Sequence, residues 1–365
     1  MDTISLRQTE KIMYALRSLY ESYGYTQYRM GKFEEYDLYV KNKSFLLSDH
    51  IIAFTDTDGK LMALKPDVTL SIVKNSPERE DGVRRVYYNE NVYRVPKGGF
   101  SYKEIMQTGL ECIGEIDTYS LVQVLSLAAK SLEEISGDFV LDISHLGIIS
   151  ALIDGMVSDR DIKEKLIVAV GEKNIHTIDA LCRENSVDAD KADMLRALVS
   201  MKGDCCEMLS ILDGSNVFSE ARELADIVNI LKETYGDKVR IDFSVVDDMR
   251  YYNGIIFKGF VKGIPSSLLS GGRYDKLMER MGKKSGAVGF AIYLDLLDEL
   301  ELDGDAYDGD VFVRYGEKTS LTVITSTVDA LVKSGKRVDC GKVLPEKKKY
   351  KEIKDICKER EKWNI

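Results

Sequence analysis

The stretch RRVYYNENVYRVPKGGFSYKEIMQTGLECIG, residues 84–114, reads as two strands joined by a turn. The first strand is expected over Val86–Val95, rich in aromatic and β-branched residues, with Arg94 near its end. Pro96 and the pair Gly98-Gly99 mark the turn. The return strand, Tyr102–Cys112, sets Glu104, Gln107 and Glu111 among apolar neighbours. A charge at a strand end beside a glycine turn, with polar groups on the returning strand, makes a receptacle for a polar ligand. A surface hairpin with solvated charges fits the same residues equally well.

Upstream, Ile12, Leu16, Leu19 and Tyr23 recur at spacings of four, three and four, which predicts one apolar face of a helix over residues 4–23. YTQYRMGKFEEYDLY predicts a strand and a turn into a polar segment. IIAFTD and KLMALK predict a hairpin around Asp58-Gly59. Pro66-Asp67 opens a helix, where Asp67 and Thr69 sit beside unpaired backbone amides and suit capping. Downstream, the pattern predicts a helix over 118–135 and a strand over 138–144. Residues 146–235 read as helix almost throughout, an expected helical insertion. Strands return with VRIDFSVV (239–246), and MRYYNGIIFKGFV turns at Asn253-Gly254. LLSGGRYDKL bends at Gly271-Gly272, and AVGFAIYLDLLDEL passes from strand into helix. Strands interleaved with helices and hairpins predict an α+β fold, an antiparallel sheet with helices packed on it. Asp303–Gly309 is acidic and suits a linker. Beyond it, DVFVRY predicts a strand, SLTVITSTVDALVKSG a mixture of strand and helix, and the Lys-rich end from Glu346 an amphipathic helix with Ile353, Ile356 and Cys357 on one side.

The chain has 365 residues, 44% hydrophobic and 31% charged, with a net charge of -10. Such a composition predicts a globular protein of two or three domains. No apolar run is long enough to span a membrane, and the N-terminus lacks the pattern of a secretory signal. Six cysteines without a CxxC pair, and three histidines without ligand spacing, call for no metal or cofactor and suit the free thiols of a reducing cytoplasm. The acidic balance argues against a protein that coats nucleic acid. The Lys-rich end offers a basic face, which a solvated surface explains as well.

Five pieces in order resemble histidyl-tRNA synthetase and its class II aminoacyl-tRNA synthetase fold, over residues 5–300. LKPDVT (64–69) resembles the segment for the histidine amino group. VYYNENVYR (86–94) with KEIMQTGLECIG (103–114) resembles motif 2. MRYYNGIIF (249–257) resembles the histidine-specific segment, SGGRYDKL (270–277) the Gly-rich strand beside the substrate, and AVGFAIYLDLL (287–297) motif 3. The resemblance implies one domain over 1–302, carrying the insertion, and a small C-terminal α/β segment over 310–365. The latter is shorter than a usual anticodon-binding domain. It also implies a histidine pocket. Asp67 and Glu111 would hold the ammonium group and Thr69 and Gln107 would hydrogen-bond. Tyr251 or Tyr252, with Tyr274, would wall the imidazole. On residue type alone, core packing explains the tyrosines too.

The departures concern ATP. Arg94 matches the motif 2 arginine, but Leu296 stands at the motif 3 arginine, Tyr293 at a motif 3 glycine, and Asp247 where the histidine-specific segment has arginine. The turn Gly98-Gly99-Phe100 lacks basic residues, and Gly31 falls at the motif 1 proline. Arginines in such sites stabilise charge on the reacting phosphate, each worth ~3–4 kcal/mol, so losing two should remove activation. Arg94 is then a remnant of a nucleotide site. A synthetase-like chain with this pattern resembles the regulatory subunits of short-form ATP phosphoribosyltransferase. That resemblance implies a non-catalytic subunit of histidine biosynthesis, needed by a separate catalytic subunit and binding histidine for feedback inhibition. It also implies a homodimeric core within a hetero-oligomer. An active synthetase and a tRNA-binding amino-acid sensor are the alternatives.

Overall fold

The structure is a computed structural model that describes residues 8–46, 50–76, 82–95, 99–201, 203–246, 251–299 and 307–357. The chain divides into two compact units, Met1–Leu300 and Glu301–Ile365.

The first unit is built on an eight-stranded sheet. Its strands are β1 (Thr26–Gln27), β5 (Val83–Arg94), β6 (Lys103–Gly114), β7 (Phe139–His145), β8 (Val239–Ile241), β9 (Ile255–Val261), β10 (Leu269–Arg273) and β11 (Gly286–Tyr293). Their order is β1-β5-β6-β11-β10-β9-β7-β8. The inner pairings are antiparallel, as expected. The two outermost, β1 with β5 and β7 with β8, are parallel. The expected hairpin is the backbone of this sheet: β5 and β6 run twelve residues each and pair from Val83↔Gly114 to Arg94↔Lys103.

A second, three-stranded sheet holds β2 (Phe33–Glu35), β3 (Ala53–Thr55) and β4 (Leu61–Leu64), the last two forming the hairpin expected around Asp58-Gly59. Between β2 and β3 the chain forms the short helix α2 (Tyr36–Lys41), which the polar reading of that segment missed. Helix α1 (Gln8–Ser22) turns Ile12, Leu16 and Tyr20 inward. Helix α3 (Thr69–Lys74) follows Pro66-Asp67. Helix α4 (Thr118–Ile135) starts where the Asp117 side chain accepts the Ser120 amide at 2.8 Å, and it packs on β9 and β11. The Tyr20 and Ser131 hydroxyls, 2.9 Å apart, tie α1 to α4.

The stretch 146–235 is a run of six helices: α5 (Leu146–Asp154), α6 (Arg160–Gly171), α7 (Ile175–Glu184), α8 (Ala189–Ser200), α9 (Cys205–Ile211) and α10 (Phe218–Tyr235). Helix α11 (Asp275–Arg280) links β10 to β11. After β11 the expected helix is instead a 3-10 turn, Leu294–Glu299.

In the second unit, β12 (Gly309–Arg314) is flanked by β13 (Val338–Gly341) and β14 (Tyr350–Asp355), all parallel, with α12 (Leu321–Lys333) between β12 and β13. Val311, Val313 and Ile356 form its core, with Val323, Ile324, Val328 and Leu331 packed against them. Two expectations are corrected here. SLTVITSTVDALVKSG is helical rather than mixed, started by Ser320, whose hydroxyl accepts the Thr322 amide at 3.3 Å. The Lys-rich end forms the strand β14 over Tyr350–Asp355, not an amphipathic helix, and residues 358–365 lie outside the described ones. Its lysines face carboxylates: Lys348 meets Asp339 at 3.0 Å and Lys351 meets Asp310 at 2.9 Å. That is the pattern of a mixed surface rather than a basic face.

Candidate functional site

Strand β6 carries the site because its alternation puts Gln107, Gly109 and Glu111 on one face. Glu111 lies at the centre, 2% exposed. Its carboxylate accepts two hydroxyls, Thr69 Oγ1 on Oε1 at 2.7 Å and Tyr274 on Oε2 at 2.6 Å. Thus α3, β6 and the start of α11 are joined at one acid. Its cross-strand partner on β11 is Gly289. A Cβ there would lie 1.8 Å from Glu111 Oε2, so the glycine makes the space that the carboxylate fills.

Asp67 is half-buried beside this group and holds the first turn of α3, its Oδ1 accepting the Leu70 amide at 2.8 Å. Holding that turn is therefore its role in the fold. Thr69, in contrast, spends its hydroxyl on Glu111. Tyr251 packs between Tyr252 and Tyr274, with ring centroids 4.7 and 5.7 Å away. Tyr252 also lies against Gly272, where a Cβ would meet its Cδ1 at 2.7 Å. That close approach is what the Gly271-Gly272 pair permits. The tyrosines belong to a continuous core cluster with Tyr88, Val68 and Leu70, so they pack and line the site at once. Gln107 is buried on the Glu111 face and takes no part in the Glu111 hydrogen bonds.

Electrostatics follow from burial. Loss of water pushes the Glu111 carboxyl up from an ordinary 4.5 to about 8. The two hydroxyl donors pull it down, and Asp67 adds repulsion. Asp67 is also raised by burial, offset by the Leu70 amide and by the charge of Arg94. Tyr88, Tyr251 and Tyr274 are driven well above the usual phenol range by burial, so they remain neutral donors. The site therefore brings the buried Glu111 and the half-buried Asp67 together, an arrangement that a ligand ammonium complements.

The Arg94 side differs. Arg94 is 7% exposed, and its guanidinium lies over the Tyr293 ring, 5.9 Å from the centroid. Tyr293, standing at the expected glycine, covers the arginine by cation–π stacking. Leu296 sits in the 3-10 turn after β11 and offers no charge. Asp247 and Gly98 lie outside the described residues. Sequence reasoning missed Lys65, fully buried and paired with Glu90 on β5, and Gly289, whose function depends on a neighbour across the sheet. The signal for Lys65 was a lysine directly after an apolar strand.

A profile of histidyl-tRNA synthetases matches residues 3–297. A Clostridium kluyveri protein named ATP phosphoribosyltransferase regulatory subunit is 30% identical over 320 residues, 83% of this chain and 81% of its own length. The chain belongs to the ATP phosphoribosyltransferase regulatory-subunit family, paralogues of histidyl-tRNA synthetase. Solved structures agree on the family fold. One from Bacillus halodurans, described as an ATP phosphoribosyltransferase regulatory subunit/histidyl-tRNA synthetase, superposes with a TM-score of 0.74 at 21% identity, covering 96% of this chain and 93% of that one. A chain of the HisG:HisZ ATP phosphoribosyl transferase complex of Thermotoga maritima gives 0.62 at 20% identity, covering 79% and 98%. The α+β, class II synthetase-like architecture expected from the ordered motifs is thus the family's fold. Among the described residues no helix is long and apolar enough to cross a membrane.

Proposed function

We propose that this chain is the non-catalytic regulatory subunit of ATP phosphoribosyltransferase and binds histidine as the feedback inhibitor of that enzyme. The observation that carries the reading is the contrast within one site. The amino-acid side is gathered around Glu111, with Thr69 and Tyr274 in hydrogen bond and Tyr251 packed on Tyr274. The nucleotide side has Tyr293 stacked on Arg94 and no arginine at position 296. Glu111 and Asp67 would hold the ammonium group, Thr69 and Gln107 would supply hydrogen bonds, and the tyrosines would enclose the imidazole.

The catalytic partner is the short subunit that joins ATP to phosphoribosyl pyrophosphate. Histidine acts on it by linkage, shifting the complex only as far as it prefers one state over another. A homodimeric core over residues 1–302, with the 310–365 segment appended, is part of the same proposal. Calorimetry tests the pocket: wild-type chain binds histidine, and Glu111→Ala abolishes binding. Unchanged affinity in that variant would place the ligand elsewhere. Robust histidine-dependent ATP–pyrophosphate exchange would restore the synthetase reading.

A further inference from the structure

A second polar cleft of about 180 Å³ lies where β7, β9 and β10 end against α10. His145, Glu220, Glu223, Asn253, Arg273 and Asp275 line it. None of these is a member of the site around Glu111.

The side chains in the cleft are held by bonds that leave defined groups over. His145 closes β7 and caps α5, its Nδ1 accepting the Ile148 amide at 3.3 Å. In the neutral ring the proton is then on Nε2, a donor not used by that bond. Burial favours this neutral ring, against the pull of Glu223 and Glu220. Arg273 gives its Nε to Asp275 Oδ2 at 2.7 Å, which leaves its terminal nitrogens as further donors. Glu223 accepts the Thr118 hydroxyl on Oε1 at 3.0 Å, and Glu220 accepts the Ser219 hydroxyl on Oε2 at 2.7 Å. Each keeps a second oxygen. The two glutamates stand one helical turn apart on α10 and so share a face.

The cleft therefore combines imidazole and guanidinium donors from β7 and β10, the guanidinium bonded to Asp275, with two carboxylates from α10. A phosphate or sulfate meets repulsion from the glutamates, and a simple cation wastes the donors. A group carrying both charges satisfies both sides. We propose that this cleft is a binding site for a free α-amino acid, its carboxylate on Arg273 and His145 and its ammonium on Glu220 and Glu223. At about 180 Å³ the cleft has room for a small polar ligand.

The same two loops serve both sites. Tyr251 and Tyr252 precede Asn253, and Tyr274 lies between Arg273 and Asp275. The Asn253 amide donates to the Arg273 carbonyl at 3.0 Å, and Asn253 Oδ1 accepts the Asp275 amide at 2.8 Å. An occupant that orders Arg273 thus acts on the segment carrying Tyr274. The site itself stands on its own residues and not on the histidine reading.

The test uses the full chain. Wild type and Glu111→Gln are screened by thermal shift with each common amino acid at millimolar concentration, and hits are titrated by calorimetry. The expected result is an amino acid that still binds Glu111→Gln, and whose affinity falls about tenfold or more when Glu220→Gln or Glu223→Gln is added. Gln keeps the size of Glu and an oxygen for Ser219 or Thr118, so two independent variants probe charge alone. If Glu111→Gln binds no amino acid, or binds one with affinity unchanged by both substitutions, the proposal is overturned. Binding lost wholly in Glu111→Gln would leave the histidine pocket standing and remove the second site. Binding dependent only on Glu220 and Glu223 would do the reverse.

Discussion

Histidine binding to this chain should release a proton, and pH is the perturbation that exposes it. Glu111 titrates at about 8 in the empty site because burial opposes its charge. An ammonium placed against it favours the carboxylate and lowers that pKa. At pH 7 about nine-tenths of the empty sites are protonated, and at pH 8 about half. Affinity should then rise about fivefold from pH 7 to pH 8, and the protons released per histidine should fall from about 0.9 to about 0.5. This window lies above the ordinary imidazole range, so the ligand's own ring contributes little. Calorimetry in two buffers of different ionisation enthalpy measures the proton directly. A pH-independent affinity with no buffer dependence would refute the reasoning, because it would mean that Glu111 is already ionised or does not meet the ammonium.

The same carboxyl governs stability. The folded chain holds a proton at Glu111 that the unfolded chain releases above pH 4.5, so stability is highest below that value and falls as pH rises through about 8. Glu111→Gln should therefore stabilise the ligand-free protein above pH 8 by a few kcal/mol in urea unfolding, while abolishing histidine binding. Equal or lower stability would argue against a buried acid under strain. Gly289→Ala drives a Cβ to 1.8 Å from Glu111 Oε2 and 2.4 Å from the Leu110 carbonyl oxygen. We expect a loss of ~1–3 kcal/mol and weaker histidine binding, and unchanged values for both would show that β11 can yield there. Asp247→Arg should not restore histidine-dependent ATP–pyrophosphate exchange, because Tyr293 and Leu296 remain; appreciable exchange would show that Asp247 alone blocks the chemistry.

The long hairpin was legible because its first strand is rich in aromatic and β-branched residues and its turn in glycine. Helix α4 was legible for similar local reasons, a one-sided apolar repeat behind Asp117. The C-terminal unit was less so. LTVITSTV is full of β-branched residues that favour strands, yet it packs as α12 on Val311 and Val313, where tertiary contacts outweigh propensity. Ile353 and Ile356 mimic a helical stripe. In β14 most residues are exposed, so no clean alternation was left to read. Motif order pointed to the acids and tyrosines around Glu111. It did not reveal Gly289 as the space for Glu111, because that depends on register across β6 and β11. Nor did it connect Arg94 with Tyr293, which meet only once the sheet is assembled.

Reconstituted phosphoribosyl transfer tests the account most directly. The short catalytic subunit is assayed with ATP and phosphoribosyl pyrophosphate, with and without this chain, across a histidine titration. The account predicts that activity depends on the chain and declines as histidine rises. The same rate with and without the chain, or a rate indifferent to histidine, would contradict it.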